Sequence, residues 1–407
     1  MHILFLLTQD LESPAGLGRY FPLAKYLARM GNKVEIAALH ANYHSLKDKK
    51  ITTDGVNIHY VAQMHVRKEE SQKHYFSTSQ LLVISLQATI ALSIAALRSQ
   101  ADIIHIGKPH PMNSIAGLLA GKLRKAKICL DCDDYEAATG HFNNSWQKSV
   151  VSYFEDKLPN AVEHVTTHTQ FLYDRLLKLG VPEKQLTYLP NGVDPDRFPH
   201  IDSLKIDRLR KELDLQGRKV VAFIGSLSSP SHPVDLLLEA FVQVHQRIPE
   251  SVLLFVGGGD EFLPTQQKVL ESGISKSTRF TGFIPPAQIA AYYHMADCLV
   301  DPVYDDLIGR SRLPLKMFES WMCETPFITA DVGDRRFVSG DPPASALVQP
   351  GNARDLALGI EKILLDDQYA DDLRHRGLER VKEFYWSELA KTVENIYTNL
   401  LEKPINE

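Results

Sequence analysis

Short apolar runs alternate with amphipathic stretches along the whole chain. The runs at 3–7, 34–39, 103–106, 128–130 and 162–166 predict strands. After the first of them, Tyr20, Leu23, Ala24 and Leu27 recur at helical spacing. Around Pro190-Asn-Gly-Val-Asp-Pro195 the pattern breaks into turn residues. It then restarts, with strands predicted at 220–224, 252–256, 296–300 and 326–330 and a helix stripe at Leu237, Ala240, Phe241 and Val244. Strands alternating with helices imply parallel sheets joined by crossover helices, an α/β architecture. The break divides the chain into two such domains, 1–200 and 201–385, with a hinge near 195–215. In open α/β sheets ligands bind beyond the carboxyl ends of the strands. That puts Gly16, Asp133, Gly225, Gly257 and the 309–319 loop at candidate rims, and the site is expected in a cleft between the domains.

Composition narrows the picture only a little. With 407 residues the chain is too long for one hydrophobic core. A net charge of −5 gives no global argument for nucleic acid. Four cysteines are too few for a disulfide framework. Cys129 and Cys132 fall in a predicted strand, where their side chains would point to opposite faces, so reduced thiols are expected rather than a zinc site. The apolar start ends at Gln9-Asp10 without a basic region or a cleavage site, which suits a first strand better than a signal peptide. The segment 81–97 is short for a membrane span and is interrupted by Ser85, Gln87, Thr89 and Ser93, so a buried or surface-lying helix is expected. Basic patches at Lys122, Arg124, Lys125 and Lys127 and at Arg67, Lys68 and Lys73 suit anionic lipid. Glu69 and Glu70 mix the signs of the second patch and favour a solvated surface.

The densest chemistry lies in Arg310-Ser-Arg-Leu-Pro-Leu-Lys-Met-Phe-Glu319. It places three cations and a carboxylate in a loop and the first turn of a predicted helix, whose free N–H groups suit a phosphate. Lys316 and Glu319 are three apart and share a helix face, offering a cation to a diphosphate and a carboxylate to a diol. The pattern alone also fits a solvated helix with an internal ion pair.

Seven motifs in order resemble the retaining GT-B glycosyltransferases of the family 4-like group, which includes bacterial mannosyl- and glucosyltransferases. They are Pro-x-Gly-x-Gly-Arg-Tyr at 14–20, Leu-Pro-Asn-Gly-Val-Asp-x-x-Arg-Phe at 189–198, and Phe-Ile-Gly-Ser-Leu running into Asp-Leu-Leu-Leu-Glu-Ala-Phe at 223–241. Val-Gly-Gly-Gly-Asp-Glu follows at 256–261, Phe-Thr-Gly-Phe-Ile-Pro at 280–285, Ala-Asp-Cys-Leu-Val-x-Pro at 296–302, and the 309–330 segment closes the series. The resemblance implies two Rossmann-like domains, an acceptor-binding one at 1–200 and a donor-binding one at 201–385. A last helix, within about 386–407, would cross back onto the first.

It also implies roles for single residues. The family's glycine-rich turn after Gly225 carries an Arg and a Lys for the donor diphosphate; here Ser226 and His232 stand in those places. Arg310, Arg312 and Lys316 are then expected to carry the diphosphate, with Ser226 and backbone N–H groups as neutral donors. Glu319 matches a glutamate that accepts from ribose hydroxyls. Its usual partner glutamate falls at Ser311, which leaves the donor sugar open; Ser311 and Leu313 of the same loop are still expected among the donor-binding residues. Gly282, Phe283 and Ile284 match the loop that takes the base, and Gly257 lets backbone face the donor. In the first domain Gly16, Leu17 and Gly18 are expected to approach the diphosphate or the acceptor. Asp133 and Asp134 are read as acceptors from sugar hydroxyls, or as the group that activates the acceptor hydroxyl; a turn-capping Asp is the alternative. His105, Lys108 and His110 follow another strand and are candidates to face the acceptor.

The implied reaction moves a sugar from a nucleoside-diphosphate sugar, UDP- or GDP-linked, to a hydroxyl of a glycan, lipid-linked or small-molecule acceptor with retention of configuration. It needs no metal and no cofactor. Cell-envelope glycan, polysaccharide or glycolipid synthesis in the cytoplasm is the expected setting, with peripheral contact to the inner membrane face left open. A catalytically impaired nucleotide- or partner-binding protein and a sugar-nucleotide epimerase are the rival readings. A dinucleotide-dependent dehydrogenase would need a third glycine where Tyr20-Phe21 stands.

Overall fold

The computed structural model describes residues 1–69, 72–140, 142, 144–228 and 232–402; Glu70 of the second basic patch lies outside them. The chain forms two compact units. Of the described residues, one holds 1–69, 73–192 and 386–402, and the other holds 193–385 with Gln72. The division falls between Gly192 and Val193 rather than at 200, and Val193 pairs with Tyr385, so both chain crossings lie together.

The first unit is built on an eight-stranded sheet in the order Leu186–Tyr188, His164–Thr167, Lys127–Cys132, Ile103–Gly107, His2–Leu7, Lys33–His40, Val56–Gln63 and Lys50–Thr53. Each pair is parallel except the last, where Lys50–Thr53 runs antiparallel at the edge. Helices cover both faces because strands buried on two sides must be apolar throughout, as Ile3 to Leu7 are. On one face Thr78–Arg98 and Pro111–Arg124 bury Ala88, Leu92, Ala96, Ala116 and Ala120 against Leu4, Leu6, Ile104 and Ile106. On the other, Phe21–Arg29 and Trp386–Glu402 close over Ile3, Phe5 and Ile36. The helix that follows the whole second unit thus completes the first, with Trp386 Nε1 donating to the Gly18 carbonyl at 2.8 Å.

The second unit has six parallel strands in the order Thr278–Phe280, Ser251–Val256, Lys219–Ile224, Cys298–Asp301, Phe327–Ala330 and Ala346–Val348. Counted along the chain this is 3-2-1-4-5-6, the doubly wound order of nucleotide-binding sheets. The direction of winding reverses between Lys219–Ile224 and Cys298–Asp301, which opens a crevice at their carboxyl ends. The first unit repeats the reversal between His2–Leu7 and Ile103–Gly107. All four cysteines are buried and unpaired.

Candidate active site

At the reversal in the second unit, Gly225 ends one strand and Asp301 ends its neighbour. Gly225 has φ 149°, and a Cβ there would come within 3.3 Å of Lys316 Nζ. Gly257 is held more firmly: its Cβ would fall 2.1 Å from the Gly225 carbonyl oxygen. The turn is therefore bare backbone because strand ends and an ammonium pack directly on it.

Asp301 is fully buried. Lys316 Nζ lies 3.2 Å from its Oδ1, Arg312 Nη2 at 3.2 Å from the same oxygen, and Arg335 Nη2 at 3.3 Å from Oδ2. Burial pushes this carboxyl up, but the three cations overcome it and hold it well below the ordinary carboxylate range. Burial lowers Lys316, partly offset by Asp301, and lowers Arg335 to about 10. Lys316 also lies over the Phe223 ring, 4.1 Å from its centre. His232 is driven well below its usual range, first by burial and then by Arg312 and Lys316, so it is a neutral acceptor. Arg312 Nη1 lies 3.1 Å from its Nδ1. Three cations, Lys316 and Arg335 buried and Arg312 half-buried, thus share one carboxylate, an excess of positive charge beside the glycine turn.

Glu319 stands one helical turn from Lys316 on Leu315–Met322. Tyr293 Oη donates to its Oε2 at 2.6 Å, and Arg197 Nη1 lies 3.4 Å from Oε1. Two donors therefore fix the carboxylate in place. Gly282 accepts from the Gly257 N–H at 3.0 Å, Phe283 is exposed and Ile284 packs on the core. Ser226 is half-buried beside Gly259.

Three expectations need correction in this unit. Arg310 does not join the Asp301 cluster: it is exposed and pairs with Asp305, five residues earlier, at 2.6 Å. Ser311 is buried and donates to the Ile308 carbonyl, so its side chain is turned into the fold. Leu313 is likewise a core residue. In exchange the fold supplies Asp301, Arg335 and Tyr293, none of which the sequence reading singled out, and Arg197, which it quoted in a motif without a role.

The first unit carries a second cluster. Lys108, with φ 68°, follows its strand directly, and its ammonium reaches Asp133 at 3.1 Å, Asp134 at 2.9 Å and Glu136 at 2.7 Å. His110 Nε2 lies 3.1 Å from the other Glu136 oxygen. Burial, with help from Asp134 and Glu136, pushes Asp133 up to about 8 against the pull of Lys108. Glu136 is also raised by burial, but Lys108 and His110 hold it low. The three carboxylates converge as cation ligands do, and the Lys108 ammonium occupies that position.

Asp131 belongs to a separate arrangement. The buried Arg19 binds it through two bonds of 2.7 Å and also donates to the Leu189 and Pro190 carbonyls and Asn191 Oδ1. This pair fastens the glycine turn, Gly16 to Tyr20, onto the sheet. Gly16 is required there because a Cβ would meet the Asp10 carbonyl oxygen at 2.1 Å. Leu17 is half-buried and Gly18 buried in the same π-helical turn. His105 does not face an acceptor. It is buried beneath the last helix, 2.7 Å from Tyr397 Oη, and burial lowers it to about 4.

Two doubly wound units, one with a bound-in excess of cations at its reversal point, define the GT-B architecture. Solved structures of that fold superimpose on the whole chain. Sucrose-phosphate synthase from Thermosynechococcus elongatus matches with a TM-score of 0.76 at 19% identity, covering 98% of this chain and 99% of that one. Anabaena HepE in complex with UDP and glucose matches with a TM-score of 0.75 at 16% identity, over 98% and 100%. The sequence matches the family model "Glycosyltransferase Family 4" over 19–197 and "Glycosyl transferases group 1" over 205–380. The chain belongs to the family 4-like GT-B glycosyltransferases. Among curated relatives, the D-inositol 3-phosphate glycosyltransferase of Corynebacterium jeikeium is 28% identical over 52% of this chain and 51% of its own length. The GDP-mannose-dependent phosphatidylinositol monomannoside mannosyltransferase of Mycolicibacterium smegmatis is 26% identical over 53% and 56%. The chain spans about half the length of these relatives in the matched regions.

Proposed function

We propose that this protein transfers a sugar from a nucleoside-diphosphate sugar to an acceptor hydroxyl with retention at the anomeric carbon, in glycolipid or polysaccharide synthesis. The observation that carries the reading is the cation excess at the reversal point of the second unit: Arg312, Lys316 and Arg335 around Asp301, beside the bare turn at Gly225. A diphosphate would take the unshared positive charge of Lys316 and Arg312, while the braced carboxylate of Glu319 accepts from the ribose diol. Relatives named for inositol phosphate and phosphatidylinositol acceptors, and a structural neighbour holding UDP and glucose, point the same way.

In this reading the second unit holds the donor and the first the acceptor. The bond from the anomeric carbon to the diphosphate oxygen breaks as the bond to the acceptor oxygen forms on the same face. The acceptor proton passes to the departing phosphate. Cations aimed at that phosphate stabilise the charge that develops on it, usually the largest catalytic term. No metal or cofactor enters the scheme. Asp133, with its raised affinity for a proton, and Asp134 hold the acceptor hydroxyls, and Lys108 fixes both carboxyls.

The test is a panel of UDP- and GDP-sugars with release of nucleoside diphosphate as readout. Slow hydrolysis or transfer with at least one donor is expected, falling about 100-fold in Lys316→Met. A protein that binds these donors yet neither transfers nor hydrolyses any of them sinks the reading.

A further inference from the structure

The helix Thr78–Arg98 has the wrong polarity for a water-facing element. Its inner face packs Ala88, Leu92 and Ala96 on the sheet, but its outer face is apolar as well: Leu82, Val83, Leu86, Ile90 and Ile94 are all exposed, Leu86 at 62%. Val83, Leu86, Ile90 and Ile94 follow one another at helical spacing, so they form a single outward row. By length and composition the helix could cross a membrane, yet its inner face commits it to lie along the sheet. The neighbouring helix Pro111–Arg124 covers the same sheet face and adds a second row, Ile115, Leu119 and Leu123. Arg124 ties the two helices by donating to the Leu97 carbonyl at 2.8 Å. Ser145–Lys157 packs beside the second helix and exposes Trp146 and Tyr153.

Charge decides what covers this face. Neither of the first two helices contains Asp or Glu, while Arg98, Lys122, Arg124, Lys125 and Lys148 are exposed on or beside them. In the third helix Glu155 accepts from the Glu136 and Ala137 N–H groups and Asp156 pairs with Arg175. A second copy of the chain would meet these cations with its own cations, since the face holds no carboxylate to answer them. An anionic bilayer answers both features, taking aliphatic rows into its interface and cations at its headgroups. We infer that this face is a docking surface for anionic lipid bilayers, on which the first unit lies with Thr78–Arg98 in the interfacial plane. The inference is independent of the reaction proposed above.

Co-sedimentation of the full chain with vesicles of phosphatidylcholine, alone or mixed with phosphatidylglycerol, tests it. Binding to the mixed vesicles is expected, weakening with salt. Leu86→Gln with Ile90→Gln should lower the partition constant about tenfold or more. Lys122→Gln with Lys148→Gln should lower it about fivefold per cation on mixed vesicles only. Melting temperatures should stay unchanged, because all four side chains are exposed. Absence of vesicle binding, or binding that the Leu86/Ile90 variant retains in full, overturns the inference. So does a dimer in sedimentation velocity that this variant dissociates while no vesicle binding is found.

Discussion

The two units carry mirror-image charge clusters beyond the ends of topologically equivalent strands. In the second, three cations surround one carboxylate, Asp301; in the first, one cation, Lys108, lies among Asp133, Asp134 and Glu136. The sheets and the crevices they open are alike, so the fold does not set the polarity of a site. The residues that end the strands do. One cluster keeps a surplus positive charge suited to an anion. The other keeps carboxyls suited to hydroxyls, one of them with an unusual hold on its proton.

The sharpest way to break this comparison is to remove the minority charge from each cluster. Asp301→Asn leaves three cations, two of them buried, without a counter-charge, and Lys108→Met leaves three converging carboxyl groups without a cation. Each should cost about 3–5 kcal/mol in urea denaturation at pH 7. Acidification should separate them: the Lys108→Met deficit shrinks as its carboxylates protonate, whereas that of Asp301→Asn persists because Lys and Arg stay charged. Equal behaviour at pH 5 would mean that the two clusters are not electrostatic opposites.

Next in size, a nucleoside diphosphate at 100 times its dissociation constant should stabilise the protein by about 2.7 kcal/mol. Glu319→Ala should lose most of the accompanying rise in melting temperature, and an undiminished rise would remove Glu319 from the ribose site. Asp133 should act through pH. Its folded value is raised from 3.8 to about 8, so its contribution is complete at low pH and is lost as pH climbs through that window. Asp133→Asn should therefore gain on the parent by about 1.4 kcal/mol for each pH unit between about pH 5 and pH 7. A difference that is flat with pH counts against the raised value. Smallest of all, Arg310→Ala should leave both the melting temperature and donor affinity nearly unchanged, since its partner Asp305 is an exposed one. A loss of affinity comparable to that of Lys316→Met would return Arg310 to the clamp.

The strands that line each crevice were legible because apolar runs buried on both faces have no other reading. The edges were not. All four residues of Lys50–Thr53 are exposed, and Thr278–Phe280 and Ala346–Val348 are too short to show a pattern. Lys316 and Glu319 were legible as a pair because three-residue spacing on a helix fixes their relation. Asp301 was not, because a lone Asp closing an apolar strand looks like its terminator until Arg335, distant in sequence, folds over it. The pair of Asp305 and Arg310 was not legible either, because a separation of five residues across a helix start is not a helix-neighbour spacing.

The helix Trp386–Glu402 also bears on how the protein is made. Residues 193–385 form their unit from one continuous segment, whereas the first unit needs a cover that is translated after all of them. Until that helix arrives, the cluster around Ile3, Phe5 and Tyr20 lacks part of its packing and His105 lacks Tyr397. Of the two units, the one translated first therefore has its apolar face fully covered only after the second has been made, a window in which that face is open to aggregation.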